Sequence, residues 1–368
     1  METVKSSLFD KSLLNGHKLN NRLVVAPMTR HSATAEGIPT EEMAHYYEDF
    51  AKGGFSMIIT EGTYTDEFFS RTDAHQPGIV NDSQLRAWAK VVEQVHAHDS
   101  LIIAQLMHGG ALSQYIESTI APSAVQPIGN FYFPREMNAD DFYRVKEGYI
   151  KAAIHAQIAG FDGIEIHAAN GYLFDQFITE HTNQRTDRYG GSVRNRLRFL
   201  MEVFQAVKEV VPAHFIVGIR VSESKVNDLT YRWPGGSETA TEIFQVLSEI
   251  KPGYLHIAAE GGRWDRECLY PDGLSSTGIA KKLTGVPVIA NGGMHDVKLA
   301  ESLISGDQAD LISIGRAAIA SPDWPRLIEA GEQVIPFFKD LIKPSLTLSH
   351  TRKVLHDYKL RLEIETPL

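Results

Sequence analysis

Eight short apolar, β-branched runs recur along the chain, at residues 23–26, 55–60, 101–106, 163–167, 215–221, 254–258, 287–290 and 311–314. Each is nearly continuous rather than alternating. A strand with one wet face alternates apolar and polar residues, whereas an unbroken apolar run marks a strand covered on both faces, as in a parallel sheet flanked by helices. Helical periodicity fills the gaps. Thr40 is placed to cap a helix through Phe50, and Asp82 to cap one through Val95 with Leu85, Trp88, Val91, Val92 and Val95 on one face. A third helix is expected to begin at Asp140 and a fourth to span 193–211, with more over 238–250, 277–283, 296–305 and 324–330. Eight strands alternating with helices predict an α/β fold, a closed (β/α)8 TIM barrel. An open doubly wound sheet is the alternative, and the lack of GxGxxG after the first run speaks against it. No linker or low-complexity tract divides the chain. It therefore reads as a single domain, 1–368, with the barrel over about 8–330 and a C-terminal extension over about 331–368.

Three long connections, 109–134, 222–237 and 260–276, follow strand C-termini, the face on which barrels carry their sites. Their aromatics, Tyr115, Phe131, Tyr132, Phe133, Tyr231, Trp233, Trp264 and Tyr270, either wall a pocket or only anchor the loops.

Composition removes several function classes. The formal net charge of −10 argues against nucleic-acid partners and attachment to an anionic membrane. Cys268 is the one cysteine, so no disulfide or cysteine-based metal site is expected. No HExxH or comparable cluster suggests another metal. No apolar run reaches membrane-spanning length and METVKSSLFD has no signal-like apolar core, so a cytoplasmic location is expected.

In a barrel, polar residues at strand C-termini are the candidates for chemistry. The last two strands end in PVIANGG and LISIGR. Gly292, Gly293 and Gly315 would let backbone N–H groups approach a phosphate, and Arg316 would add charge-assisted bonds; the alternative is tight turns and a surface ion pair. Arg220 lies inside the apolar VGIRVS, where an arginine needs a partner. That partner is either a carboxylate on a neighbouring strand or an electron-rich ring in the barrel mouth, such as a flavin's pyrimidine end. The Gln105 amide can donate and accept together, which suits an imide edge, and the Thr29 hydroxyl can donate to a ring carbonyl or to local backbone. EIHAANGY carries the sharpest signal. His167 and Asn170 can converge on one carbonyl oxygen, and the Tyr172 phenol can deliver a proton beside it; a lone His167 could instead be a satisfied core histidine.

These motifs resemble, in order, those of the old yellow enzyme family of FMN-dependent NAD(P)H oxidoreductases, the ene-reductases. The resemblance rests on APMTR at 26–30, TEGT at 60–63, AQLMHGG at 104–110, APSA at 121–124, the long run EIHAANGYLFDQFITEHTNQRTDRYGGSVRNRLRF at 165–199, then VGIRVS, ANGGM and ISIGRA. It implies non-covalent FMN across the barrel mouth. Pro27, Met28, Thr29 and Gly62 would line the ring, Gln105 and Arg220 would meet its pyrimidine end, and Gly292, Gly293, Gly315 and Arg316 would hold the phosphate. His167 and Asn170 would bind the substrate oxygen and Tyr172 would be the proton donor. NADPH or NADH would be the reductant, and activated alkenes or nitro compounds the small-molecule acceptors. A monomer or homodimer is expected. Departures from the pattern are Thr29 where one branch has cysteine, Met107 where many relatives have tryptophan, and Ala111 where arginine is common. The tail after Ile335 matches no family motif, and a docked helix is the first expectation for it. A barrel aldolase without flavin and a catalytically silent FMN-binding barrel are the competing readings. The first would want a strand-end lysine, which is missing, and the second would lack the His167–Asn170–Tyr172 trio.

Overall fold

The computed structural model describes residues 6–129 and 131–365. Eight parallel strands close on themselves: β1 (Leu23–Val25), β2 (Met57–Ile59), β3 (Leu101–Met107), β4 (Gly163–Asn170), β5 (Ile216–Lys225), β6 (Leu255–Ala258), β7 (Val288–Asn291) and β8 (Leu311–Ile314). Each pairs with the next, and β8 pairs with β1, so the predicted closed (β/α)8 barrel is the observed fold. All eight strands fall within or beside the predicted runs. The fifth runs longer than expected, because its polar end, Ser222 to Lys225, is buried and keeps to the strand.

The helices around the barrel are α1 (Glu41–Lys52), α2 (Asp82–His96), α3 (Ala139–Ile158), α4 (Val193–Val210), α5 (Ser237–Ser248), α6 (Ser276–Thr284), α7 (Val297–Ser305) and α8 (Trp324–Ala330). Thr40 caps α1 as predicted, its side chain accepting from the Met43 N–H. Asn81, not Asp82, caps α2: the Asn81 side chain accepts from the Gln84 N–H, and Asp82 is the first helical residue, where its charge suits the helix dipole. Asn138 and Asp141 form a reciprocal capping box at the start of α3, one residue before the expected position.

Strand register explains the continuous apolar runs. Outward residues such as Val25, Ile58, Ile102, Ile166, Ile219 and Ile257 join the helices in one large core. Inward residues Val24, Met57, Ile59, Ile103, Ile216, Ile289 and Leu311 form a second core, the barrel floor. A hairpin of Ser12–Leu14 and His17–Leu19 closes it from below, contributing Leu14 and Leu19. Gly218 on β5 makes room there, since a side chain at that position would strike the Tyr254 ring.

The C-terminal extension docks as expected, but by its beginning. In α9 (Leu348–Glu365), Leu348 and Thr351 are buried, whereas most described residues of its later turns are solvent-facing. The fully buried Arg30 holds this end: Nε donates to the Leu346 carbonyl at 3.0 Å and Nη2 to Thr351 Oγ1.

Candidate functional site

Two residues above the floor, on the same inward face, the barrel becomes polar. Gln105, Glu165, Arg220, His256 and Ser313 are all buried. Glu165 is the hub. It accepts from Gln105 Nε2 at 2.7 Å, from Tyr254 Oη at 3.0 Å and from His256 Nδ1 at 2.9 Å. Burial would raise the Glu165 carboxyl, but His256, Arg220 and Gln105 outweigh it and hold it down to about 2. Burial and the nearby Arg220 guanidinium push His256 down to about 4. The neutral imidazole therefore donates through Nδ1 to Glu165 and accepts at Nε2 from Ser313 Oγ, 2.8 Å away.

Above this layer lies a cavity of about 740 Å³ at the strand C-termini. Every residue assigned from the sequence to FMN or to the substrate lines it: Pro27, Met28 and Thr29 after β1; Gly62 after β2; Gln105 on β3; His167, Asn170 and Tyr172 on and after β4; Arg220 on β5; Gly292 and Gly293 after β7; Gly315 and Arg316 after β8. They converge because the strands of a closed parallel barrel all end at one rim.

Local geometry sets each group. Asn170 and Gly171 both take left-handed backbone, with φ of 63° and 88°, so the chain reverses immediately after β4. Asp175 fixes that reversal by accepting from the Gly171 N–H at 2.6 Å, and Lys225 Nζ pairs with Asp175 at 2.7 Å. Tyr172 is thereby carried back over the cavity, its ring centroid 5.1 Å from that of His167. Burial and the Arg220 charge push His167 down to about 3, so it is neutral near pH 7. Burial, with Asp73 and Glu260, pushes the Tyr172 phenol up, which keeps its proton in place. Asn170 Nδ2 already donates to Glu260 Oε2 at 2.9 Å, leaving its second N–H for another acceptor.

Several buried polar atoms here have no partner: Arg220 Nε and Nη1, His167 Nδ1 and Asn170 Oδ1. No carboxylate lies within ion-pair distance of Arg220 among the described residues, so the inter-strand salt bridge considered from the sequence does not form. Two unmet guanidinium donors in a cavity beside the Gln105 amide fit the accepting pyrimidine edge of FMN. The phosphate end fits as well. Gly292 has φ of 106°, and a side chain there would strike Ala259 and the Trp264 backbone. Arg316 is exposed and pairs with no carboxylate among the described residues.

Some expectations fail. None of the eight loop aromatics lines the cavity. Trp233, Trp264 and Tyr270 are buried anchors, with Tyr270 Oη donating to Glu223 at 2.7 Å, while Tyr115, Tyr132 and Phe133 are largely exposed. The aromatic walls are instead Trp324 of α8 and Phe337 of the tail, joined by Val334, Ile335, Pro336, Ile342 and Leu346. The apolar stretch VIPFF at 334–338 was the available signal, and its distance in sequence from any barrel strand hid it. Glu165 and His256 were also missed as site residues. A titratable side chain set into each of two apolar strands, Glu165 in EIH and His256 in YLHIA, was the clue. Cys268 is buried, and burial pushes its thiol up to about 12, which removes it as a nucleophile.

Comparison with known proteins decides the family. The profile described as the NADH:flavin oxidoreductase / NADH oxidase family matches residues 7–334. The chain belongs to this family. It is thus one of the FMN-dependent oxidoreductases related to old yellow enzyme. The structure is similar to that of the old yellow enzyme homologue from Zymomonas mobilis, with a TM-score of 0.81, 31% identity, and 92% of this chain and 95% of that chain covered. A probable flavin mononucleotide-dependent alkene reductase of Leishmania infantum is 32% identical, over 87% of this chain and 89% of its own length. An NADH oxidase of Thermoanaerobacter brockii is 29% identical over 89% of this chain, which spans only 51% of that protein. No helix among the described residues is long and apolar enough to cross a membrane.

Proposed function

We propose that the protein reduces activated alkenes, taking its electrons from NADPH or NADH. The observation that supports this reading is the pair of unmet Arg220 donors set in one cavity with His167, Asn170 and Tyr172. FMN, when bound, would supply the hydride chemistry that links the nicotinamide to the β-carbon of the alkene. Arg220 and Gln105 would bind its pyrimidine end, with Arg220 stabilising negative charge there, and Thr29 would donate to the ring carbonyl nearest it. Pro27, Met28 and the Gly62 backbone would line the ring. Gly292, Gly293, Gly315 and Arg316 would hold the phosphate.

His167 and the free N–H of Asn170 would hold the carbonyl or nitro oxygen of the substrate, polarising the double bond. Because His167 stays neutral, it acts there as a hydrogen-bond donor rather than a proton source. The raised pKa of Tyr172 suits a group that keeps its proton until carbanion character develops at the α-carbon. Enones, enals, maleimides and nitroalkenes fit this pattern, and nitrate esters and nitroaromatics use the same oxygen-binding pair.

The test is an anaerobic titration followed in the visible spectrum. Flavin bands should bleach with NADPH or NADH and return on adding 2-cyclohexenone. A protein that binds no FMN overturns the reading, and bleaching with no return rejects the alkene as acceptor.

A further inference from the structure

Glu260 is a carboxylate in the wall of the cavity that also holds His167, Asn170 and Tyr172. It is the solvent-facing end of a braced segment. Its N–H donates to Ser224 Oγ at 3.3 Å, and the following Gly261 N–H donates to the buried Glu267 at 3.1 Å. Its Oε2 accepts from Asn170 Nδ2 at 2.9 Å, which puts negative charge one side chain away from the proposed oxygen-binding position. Among the described residues no lysine, arginine or histidine lies within ion-pair distance of it. Its field reaches the surrounding groups: it adds to the burial that raises the Tyr172 phenol and opposes the burial that lowers the Arg220 guanidinium.

We infer that Glu260 makes this a site for activated alkenes that carry a cationic group, an ammonium above all, a few atoms from the activating carbonyl, and one that turns away carboxylates. The inference rests on the alkene-reductase reading. An ammonium entering the cavity would meet a carboxylate that no cation of the described residues neutralises, and the attraction, partly open to solvent, would be weakened by salt. A carboxylate would lose hydration and meet repulsion from a charge that its braced backbone keeps in place. Neutral alkenes would be indifferent to it.

Three maleimides sharing one reactive ring test this on the holoenzyme: N-(2-aminoethyl)maleimide, N-ethylmaleimide and N-(2-carboxyethyl)maleimide. In the native enzyme kcat/KM should be about tenfold or more higher for the cation than for the anion, with the neutral compound between, and 0.5 M salt should narrow the spread. In Glu260→Gln, which keeps an acceptor for Asn170, cation and anion should fall within about threefold of each other. A native ratio near one, or a ratio that Glu260→Gln leaves unchanged, overturns the inference. The ratio within each variant cancels any general loss of turnover.

Binding separates failure of this inference from failure of the reading beneath it. Tyramine, 4-ethylphenol and 4-hydroxyphenylacetate form a similar charge series, followed by perturbation of the flavin spectrum. If maleimides are not reduced, yet tyramine binds more tightly than 4-hydroxyphenylacetate and Glu260→Gln removes the difference, the charge inference stands and the alkene reading falls. If maleimides are reduced and neither series discriminates by charge, the reverse holds.

Discussion

The floor and the upper layer of this barrel use the same strands and the same inward face, two residues apart, yet they are held together by different physics. On β3 the step is from Ile103 to Gln105, on β7 from Ile289 to Asn291, and on β8 from Leu311 to Ser313. The floor contains almost no polar atoms and is sealed by Leu14 and Leu19 of the hairpin below. Its stability comes from burial and close packing. The upper layer is organised around Glu165, and its hydrogen bonds are complete except where it faces the cavity, at Arg220 and His167. A barrel thus separates the work of staying folded from that of holding a ligand, without changing backbone. The unmet bonds collect where a ligand can meet them.

The contrast can be broken most forcefully at the hub. Glu165→Leu should cost about 3–5 kcal/mol in urea unfolding, since it strands Arg220 and three donors in a buried site, and the purified protein should lose its flavin. Retained yellow colour with a loss below about 1 kcal/mol would show that the layer is not organised by this carboxylate. On the floor, Ile289→Ala should cost about 3 kcal/mol through a cavity in a packed core. Its FMN Kd should stay within about threefold of native, and a larger change would mean that the two layers are coupled.

Acid should distinguish them next. His256 is held down to about 4 and His167 to about 3, whereas the unfolded chain takes up protons near the usual histidine value of 6.5. The stability from keeping them neutral is therefore fully present above pH 6.5 and is lost as the pH falls towards 4. Each histidine should take about 3 kcal/mol off the unfolding free energy over that window, so His256→Asn should remove about half of the drop. Ile289→Ala should show the native slope, because the floor carries no group that titrates in this window. The smallest effect should come from Arg220→Lys, which keeps the charge but loses the planar pair of donors. FMN Kd should rise about tenfold, or about 1.4 kcal/mol, while urea stability of the FMN-free protein changes little. Unchanged FMN affinity would remove Arg220 from the binding role.

Much of this was legible because burial on two faces leaves a one-dimensional trace. The eight runs marked the strands, and barrel closure brought the polar residues at their ends to one rim. Asn170 and Gly171 could be read as a turn, although the positive φ of Asn170 and its clamping by Asp175 could not. Glu165 looked like a minor interruption of an apolar strand. Its role depends on Gln105, Tyr254 and His256, which come from two other strands. The loop aromatics misled because type alone does not say whether a ring faces a pocket or plugs a gap beneath a loop.

The sequence by itself determined the barrel, the order of its strands and the residues at its rim. Each of those follows from periodicity and local residue type, which a linear chain carries in full. Only the tertiary structure decided which polar atoms would remain unmet, that VIPFF and Trp324 rather than the loop aromatics would wall the cavity, and that Glu260 would stand beside Asn170 without a cation. Those are relations between residues distant in sequence, fixed by which side chains meet once the barrel has closed.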